Sequence, residues 1–169
     1  MAGGMSAPEF SCPVRAHEVG GHARDHAIAA ETAECAALAT RFDLLALQAL
    51  SARLRLVREA AGIRLTGDVA AEGAQACVAT GAPVPFRLIT PLSLLLVEAG
   101  PSGQDIELGD DDLDVELLEG DVIDLGEWAA QAMALALDPY PRSNTATPGV
   151  LSEDEAAQAR SPFAVLKTP

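Results

Sequence analysis

The chain has 169 residues, 49% of them hydrophobic, with 25 acidic against 11 basic side chains and a formal net charge of -14. That length fits one domain with a real core; the apolar content argues against wholesale disorder, and the charge argues against spreading over nucleic-acid phosphates, which needs a positive surface. No run approaches the roughly 18 apolar residues of a membrane span, and the first ten residues lack the basic and apolar regions of a secretory leader, so the expectation is a cytoplasmic protein with no membrane partner.

Residues 1–9 are small and Gly- and Ala-rich and read as a flexible N-terminus. Residues 10–15 can form a first strand, which Pro13 restricts to an edge or a bulge. Gly20-Gly21 marks a turn, and residues 25–29 read as a short second strand. Over residues 31–42, Cys35, Leu38, Ala39 and Phe42 recur at helical spacing and share one face. In residues 51–57, Leu54 and Leu56 alternate with Arg53 and Arg55. Beyond a tight Ala60-Ala61-Gly62 connection, Ile63, Leu65, Gly67 and Val69 alternate with Arg64, Thr66 and Asp68. Period-two alternation across a short turn predicts an antiparallel hairpin with one wet face.

Residues 82–97 hold another strand or a bent pair, interrupted near Pro91, and residues 99–103 are a loop. Val115 and Leu117 predict a short strand within an acidic stretch. Asp124-Leu125-Gly126-Glu127 has the form of a capping box. It opens a helix whose expected apolar face is Leu125, Trp128, Ala129, Ala132 and Leu135, widened by Leu137. Asp138-Pro139-Tyr140-Pro141 ends that helix. The expected organisation is a flexible segment over 1–9, one α+β domain over 10–141, and a linker and C-terminal tail over 142–169. The domain is expected to hold a mainly antiparallel sheet with a central hairpin, packed against two helices. In the tail, Phe163, Val165 and Leu166 form a small apolar cluster suited to docking.

Charge is unevenly spread. Ten of the basic residues are arginine, eight of them before Leu88, and no Lys or Arg falls between Leu88 and Pro141. Two surfaces follow. Arg53, Arg55 and Arg64 share the wet face of the hairpin and could contact RNA phosphate. Asp110, Asp111, Asp112, Asp114, Glu116, Glu119 and Asp121 could receive a basic protein segment.

Chemistry beyond binding finds little support. Cys12, Cys35 and Cys77 are odd in number and widely spaced, which describes small buried hydrophobes rather than disulfides. The spacing of His17, His22 and His26 beside Cys12 follows no usual zinc pattern. The aspartate run lacks the glycine and terminal glutamate of a calcium loop. No phosphate-binding loop, nucleophile elbow or dinucleotide fingerprint occurs. The expectation is a non-catalytic protein without metal or cofactor.

Several blocks, in order, resemble the YceD-like (DUF177) family in its alphaproteobacterial form. They begin with Glu9-Phe10-Ser11-Cys12-Pro13-Val14-Arg15 and Arg41-Phe42-Asp43-Leu44-Leu45-Ala46-Leu47. Next come Ala76-Cys77-Val78-Ala79-Thr80 with Pro83-Val84-Pro85, and Ile123-Asp124-Leu125-Gly126-Glu127. Leu135-Ala136-Leu137-Asp138-Pro139-Tyr140-Pro141 and Ser161-Pro162-Phe163-Ala164-Val165-Leu166 complete the set. Many relatives carry two cysteines in the central motif; here Thr80 stands at the second position, so Cys77 reads as packed beside its strand or turn. The resemblance implies a factor in biogenesis of the large ribosomal subunit that supports accumulation or processing of 23S rRNA. Its implied partners are that RNA or a pre-large-subunit particle, or a basic large-subunit ribosomal protein. The different-class alternative is a structural or regulatory adaptor unrelated to ribosomes.

Overall fold

In a computed structural model that describes residues 8–98 and 114–144, the alternating segments become three long neighbouring strands. The chain runs through β1 (Pro13–Arg15), a 3-10 turn (Ala16–Glu18), β2 (Arg24–Ala29) and α1 (Thr32–Arg41). It continues through β3 (Ala46–Glu59), β4 (Gly62–Ala76), β5 (Pro83–Glu98), β6 (Asp114–Leu118), β7 (Val122–Asp124) and α2 (Leu125–Ala136). A five-stranded sheet has the order β2-β3-β4-β5-β6, and β1 pairs with β7 in a separate two-stranded ladder. The fold is therefore α+β, with two helices against the larger sheet.

The hairpin forms as its alternation predicts. Glu59 pairs with Gly62 around the Ala60-Ala61 turn, and the ladder continues to Ala46 and Ala74 with one irregularity between Leu47 and Ala49. Leu54, Leu56, Ile63, Leu65 and Val69 are buried on one face. They meet Leu92, Leu94 and Leu96 of β5, Leu38 of α1, and Leu125, Ala129, Ala130 and Met133 of α2 in a single apolar cluster. α1 packs on β3, while α2 crosses β3, β4 and β5. Each fully buried Leu or Ile contributes about 1.5–3 kcal/mol relative to exposure.

One expectation needs refining and two need correction. The larger sheet is mainly antiparallel, as expected, but not wholly so: β6 runs parallel to β5, pairing Leu94 with Asp114 through Glu98 with Leu118. β5 is also not interrupted at Pro91, which pairs with Asp68 in a continuous ladder. Pro83, Pro85 and Pro91 have the same parity along the strand. Their donorless nitrogens can therefore all face away from β4, where β6 has not yet begun, and a proline is tolerated at such an edge. Finally, Leu135 is not part of the buried face of α2. It is 89% exposed, and Met133 and Ala130 take the core positions instead.

α2 starts at Asp124, whose Oδ1 accepts from the backbone amides of Gly126 (3.0 Å) and Glu127 (3.3 Å). The same oxygen accepts from the Cys12 amide at 2.8 Å, and Oδ2 accepts from the Ser11 hydroxyl at 2.6 Å. One carboxylate thus caps the helix and pins the incoming chain to it. Gly126 permits that approach: a Cβ there would stand 2.5 Å from the Phe10 carbonyl oxygen.

Candidate functional site

The three arginines of the wet hairpin face do share one side of the sheet, since Arg53, Arg55 and Arg64 pair with Asp68, Thr66 and Val57 across the β3–β4 ladder. The same face supplies carboxylate partners for two of them. Arg55 donates Nε and Nη2 to Asp25 of β2 at 2.6 and 3.1 Å. Arg64 grips Glu59 through both Nε and Nη2, at 2.7 and 2.8 Å. Arg87, beside them on β5, binds Glu72 at 2.8 Å. Arg53 stands opposite Asp68 in the ladder, with no hydrogen bond or ion pair between them. The Arg55 guanidinium holds the Asp25 carboxyl below its usual range, and Arg64 does the same to Glu59. This face is a lattice of alternating charges, with a cavity over Asp25, Arg53, Arg55 and Thr66.

Elsewhere too, arginines are occupied inside the molecule. Arg58, at the end of β3, donates to the Val19 and Ala16 carbonyls at 3.0 and 2.6 Å and pairs with Glu98. It clamps the segment before β2 to the end of β3. Arg41 binds Glu127 through both terminal nitrogens at 2.8 and 2.7 Å and Glu9 at 3.0 Å, with its guanidinium over the Phe42 ring. That cluster fastens α1 to α2. The Glu127 side chain is thereby spent on Arg41 and Gln131.

The acidic stretch divides in two. Asp110, Asp111 and Asp112 lie outside the described residues. Asp114 and Glu116 lie on β6, and Glu119 in the turn after it; all three are exposed, and none has an ion-pair partner among the described residues. Asp121 differs: it accepts from the His17 amide at 3.0 Å, pairs with the His17 ring and faces Arg15. These contacts hold its carboxyl below the usual range.

Asp114 and Glu116 also form one wall of a cavity of about 250 Å³. Its floor is β5 from Thr90 to Leu94, whose edge up to Ser93 pairs with no strand among the described residues, and its other wall is Trp128, Gln131, Ala132, Leu135 and Ala136 of α2. The combination joins exposed acid, a half-buried indole and an almost fully exposed leucine.

Cys77 and the Asp138-Pro139-Tyr140-Pro141 block, far apart in sequence, meet in space. The Val78 amide donates to the Pro141 carbonyl at 2.9 Å, Gln75 donates to the Asp138 carbonyl at 2.9 Å, and the Ser143 amide points at the Cys77 sulfur at 3.5 Å. The Tyr140 amide closes a local turn onto Asp138 Oδ1, while its ring is exposed. Hydrogen bonds to the sulfur, the Thr80 hydroxyl first and then the Ser143 and Ala79 amides, pull the Cys77 thiol down to about 6. Its side chain is buried, and the sulfur serves as an acceptor that ties the chain after α2 to the β4–β5 turn. Among the described residues no group of three or more His, Cys, Asp or Glu side chains could hold a metal ion.

Comparison with protein-family models, with curated proteins and with solved structures finds no match.

Proposed function

We propose that this protein is a non-catalytic acidic holder for a basic protein segment. The observation that carries this reading is the asymmetry of charge pairing. Six of the nine described arginines, Arg15, Arg41, Arg55, Arg58, Arg64 and Arg87, are engaged with carboxylates of the same chain, leaving Arg24, Arg53 and Arg142 scattered, whereas Asp114, Glu116 and Glu119 cluster on β6 and the turn after it, exposed and without such partners among the described residues. A surface arginine already bound to a carboxylate must give up that partner before it can engage a phosphate, so Arg53 alone of the three offers RNA an unengaged charge. Unpaired carboxylates on a chain of charge -14 instead speed encounter with a basic partner and select against acidic ones.

The order of sequence blocks described above supports a partner from the large ribosomal subunit, whose proteins must be kept from unproductive RNA contact until assembly. In that setting the effect on 23S rRNA is indirect, through delivery of a basic ribosomal protein. The test is recovery of the tagged protein at native expression after ultraviolet crosslinking, with identification of bound RNA and bound proteins. A basic large-subunit protein enriched without crosslinked RNA is the expected result. One 23S segment enriched, and lost when Arg53, Arg55 and Arg64 become Ala, would replace this reading with direct RNA recognition. Basic partners with no ribosomal connection would leave an adaptor of another pathway.

A further inference from the structure

We infer that the groove between α2 and the edge of β5 before β6 is the seat of an apolar anchor side chain from that basic segment. The inference rests on the holder reading and specifies where and how the partner is gripped. Leu135 is the starting point: in a helix whose other large apolar residues turn to the core, it is 89% exposed beside a cavity. Trp128 lies about two turns earlier on the same wall, with Leu92 and Leu94 beneath. A leucine, isoleucine or phenylalanine entering there covers Leu135 and the indole together, and burial of such a side chain is the largest single gain available to a short peptide.

The rim determines which segment can bring that anchor. Its charged side chains are Asp114 and Glu116. The last turn of α2 carries no basic residue, so the negative end of the helix dipole also faces the groove mouth uncompensated, with Asp138 just beyond. No Lys or Arg occurs anywhere from Leu88 to Pro141. An occupant with lysine or arginine flanking an apolar residue is matched on all these sides; an acidic occupant is repelled.

The prolines of β5 define the mode of binding. Pro83, Pro85 and Pro91 have no N–H and share one parity along β5, so its edge is short of the donors that an added strand would use. The partner is therefore held by its side chains, not by extending the sheet.

Trp128 is the only tryptophan in the chain, which makes its emission a direct reporter of the groove. The experiment titrates the full-length protein with two synthetic peptides of equal length and charge, one alternating lysine and leucine, the other lysine and serine. Anisotropy of the labelled peptide and Trp128 emission are both read. The leucine peptide is expected to bind at least about tenfold tighter, to shift Trp128 emission to the blue, and to lose that advantage in Leu135→Glu. Asp114→Asn with Glu116→Gln is expected to weaken both peptides. Equal binding of the two peptides, with Trp128 unmoved, would overturn the groove while leaving the acidic holder standing. Binding of neither peptide would overturn both.

Two other occupants have their own signatures, and either overturns the inference. A second copy would shield Trp128 from acrylamide only as protein concentration rises. The chain's own tail would shield it at every dilution and release it in Leu135→Glu. Circular dichroism of Leu135→Glu controls for folding, and Leu135→Ser provides a second variant that removes the apolar wall without adding charge.

Discussion

Replacing Asp124 with alanine removes, in one step, the N-cap of α2 and the anchor of the chain entering β1. The cap contributes about 1 kcal/mol. The part-buried hydrogen bond from the Cys12 amide, 2.8 Å from a carboxylate oxygen, contributes roughly 1.5–3 kcal/mol because its acceptor is charged. The Ser11 hydroxyl bond is exposed and adds little. The expected loss is about 3 kcal/mol, which lowers Tm by roughly 10 °C for a chain of this size. Asp124→Asn keeps an acceptor oxygen and ranks with aspartate as a cap, so its loss should be about 1 kcal/mol. Urea denaturation at neutral pH, followed by Trp128 emission and by circular dichroism, measures both variants. An unchanged dependence on urea would show that the unfolding reaction is the same. The reasoning fails if the alanine variant loses less than about 1 kcal/mol, or if asparagine is as damaging as alanine.

Cys77 should titrate near pH 6, while burial pushes the thiols of Cys12 and Cys35 above their ordinary value. Ultraviolet thiolate absorbance should therefore show one early step that Cys77→Ser abolishes, and its persistence in that variant would refute the assignment. A depressed pKa adds stability that is complete above the ordinary thiol value of 9.0 and is lost as pH falls through about 6. The advantage of wild type over Cys77→Ser should accordingly grow as pH rises across that interval; a constant difference would contradict it. Glu127 is held below its ordinary 4.5 chiefly by Arg41, so its contribution is complete above that value and disappears as pH falls through the lowered one. Glu127→Gln should lose about 1 kcal/mol at neutral pH and unfold along a shallower acid limb, whereas an acid limb superimposable on wild type would show that the Arg41 cluster contributes nothing.

What the sequence made legible was what local periodicity and turn chemistry encode. The alternation of Leu54, Leu56, Ile63 and Leu65 gave the hairpin and its buried face, and Asp124 marked the start of α2. The parallel return of β6 was not legible, because a five-residue strand carries no sign of its partner's direction. Pro91 misled for a related reason: a proline breaks a strand only if its nitrogen faces a neighbour, and that depends on register. Leu135 fits the helical spacing of Leu125 and Trp128, yet the way α2 lies across β3, β4 and β5 turns Ala130 and Met133 inward instead. At the candidate site, the arginine face was visible but the pairing of Arg55 and Arg64 was not, since Asp25 reaches Arg55 across the β2–β3 ladder and Glu59 reaches Arg64 around the hairpin turn. The meeting of Cys77 with Pro141 and Ser143 spans more than sixty residues, a separation at which no spacing rule operates.

The central claim is that the surface selects basic protein over RNA. Its most direct test is fluorescence anisotropy of the full-length protein with a labelled lysine-rich peptide and, separately, with a labelled single-stranded RNA, each across a range of salt. The account predicts that the peptide binds at low salt and is released as salt rises, while the RNA stays free throughout. RNA binding that Arg53→Ala, Arg55→Ala and Arg64→Ala together abolish, with no binding of the peptide, would contradict it.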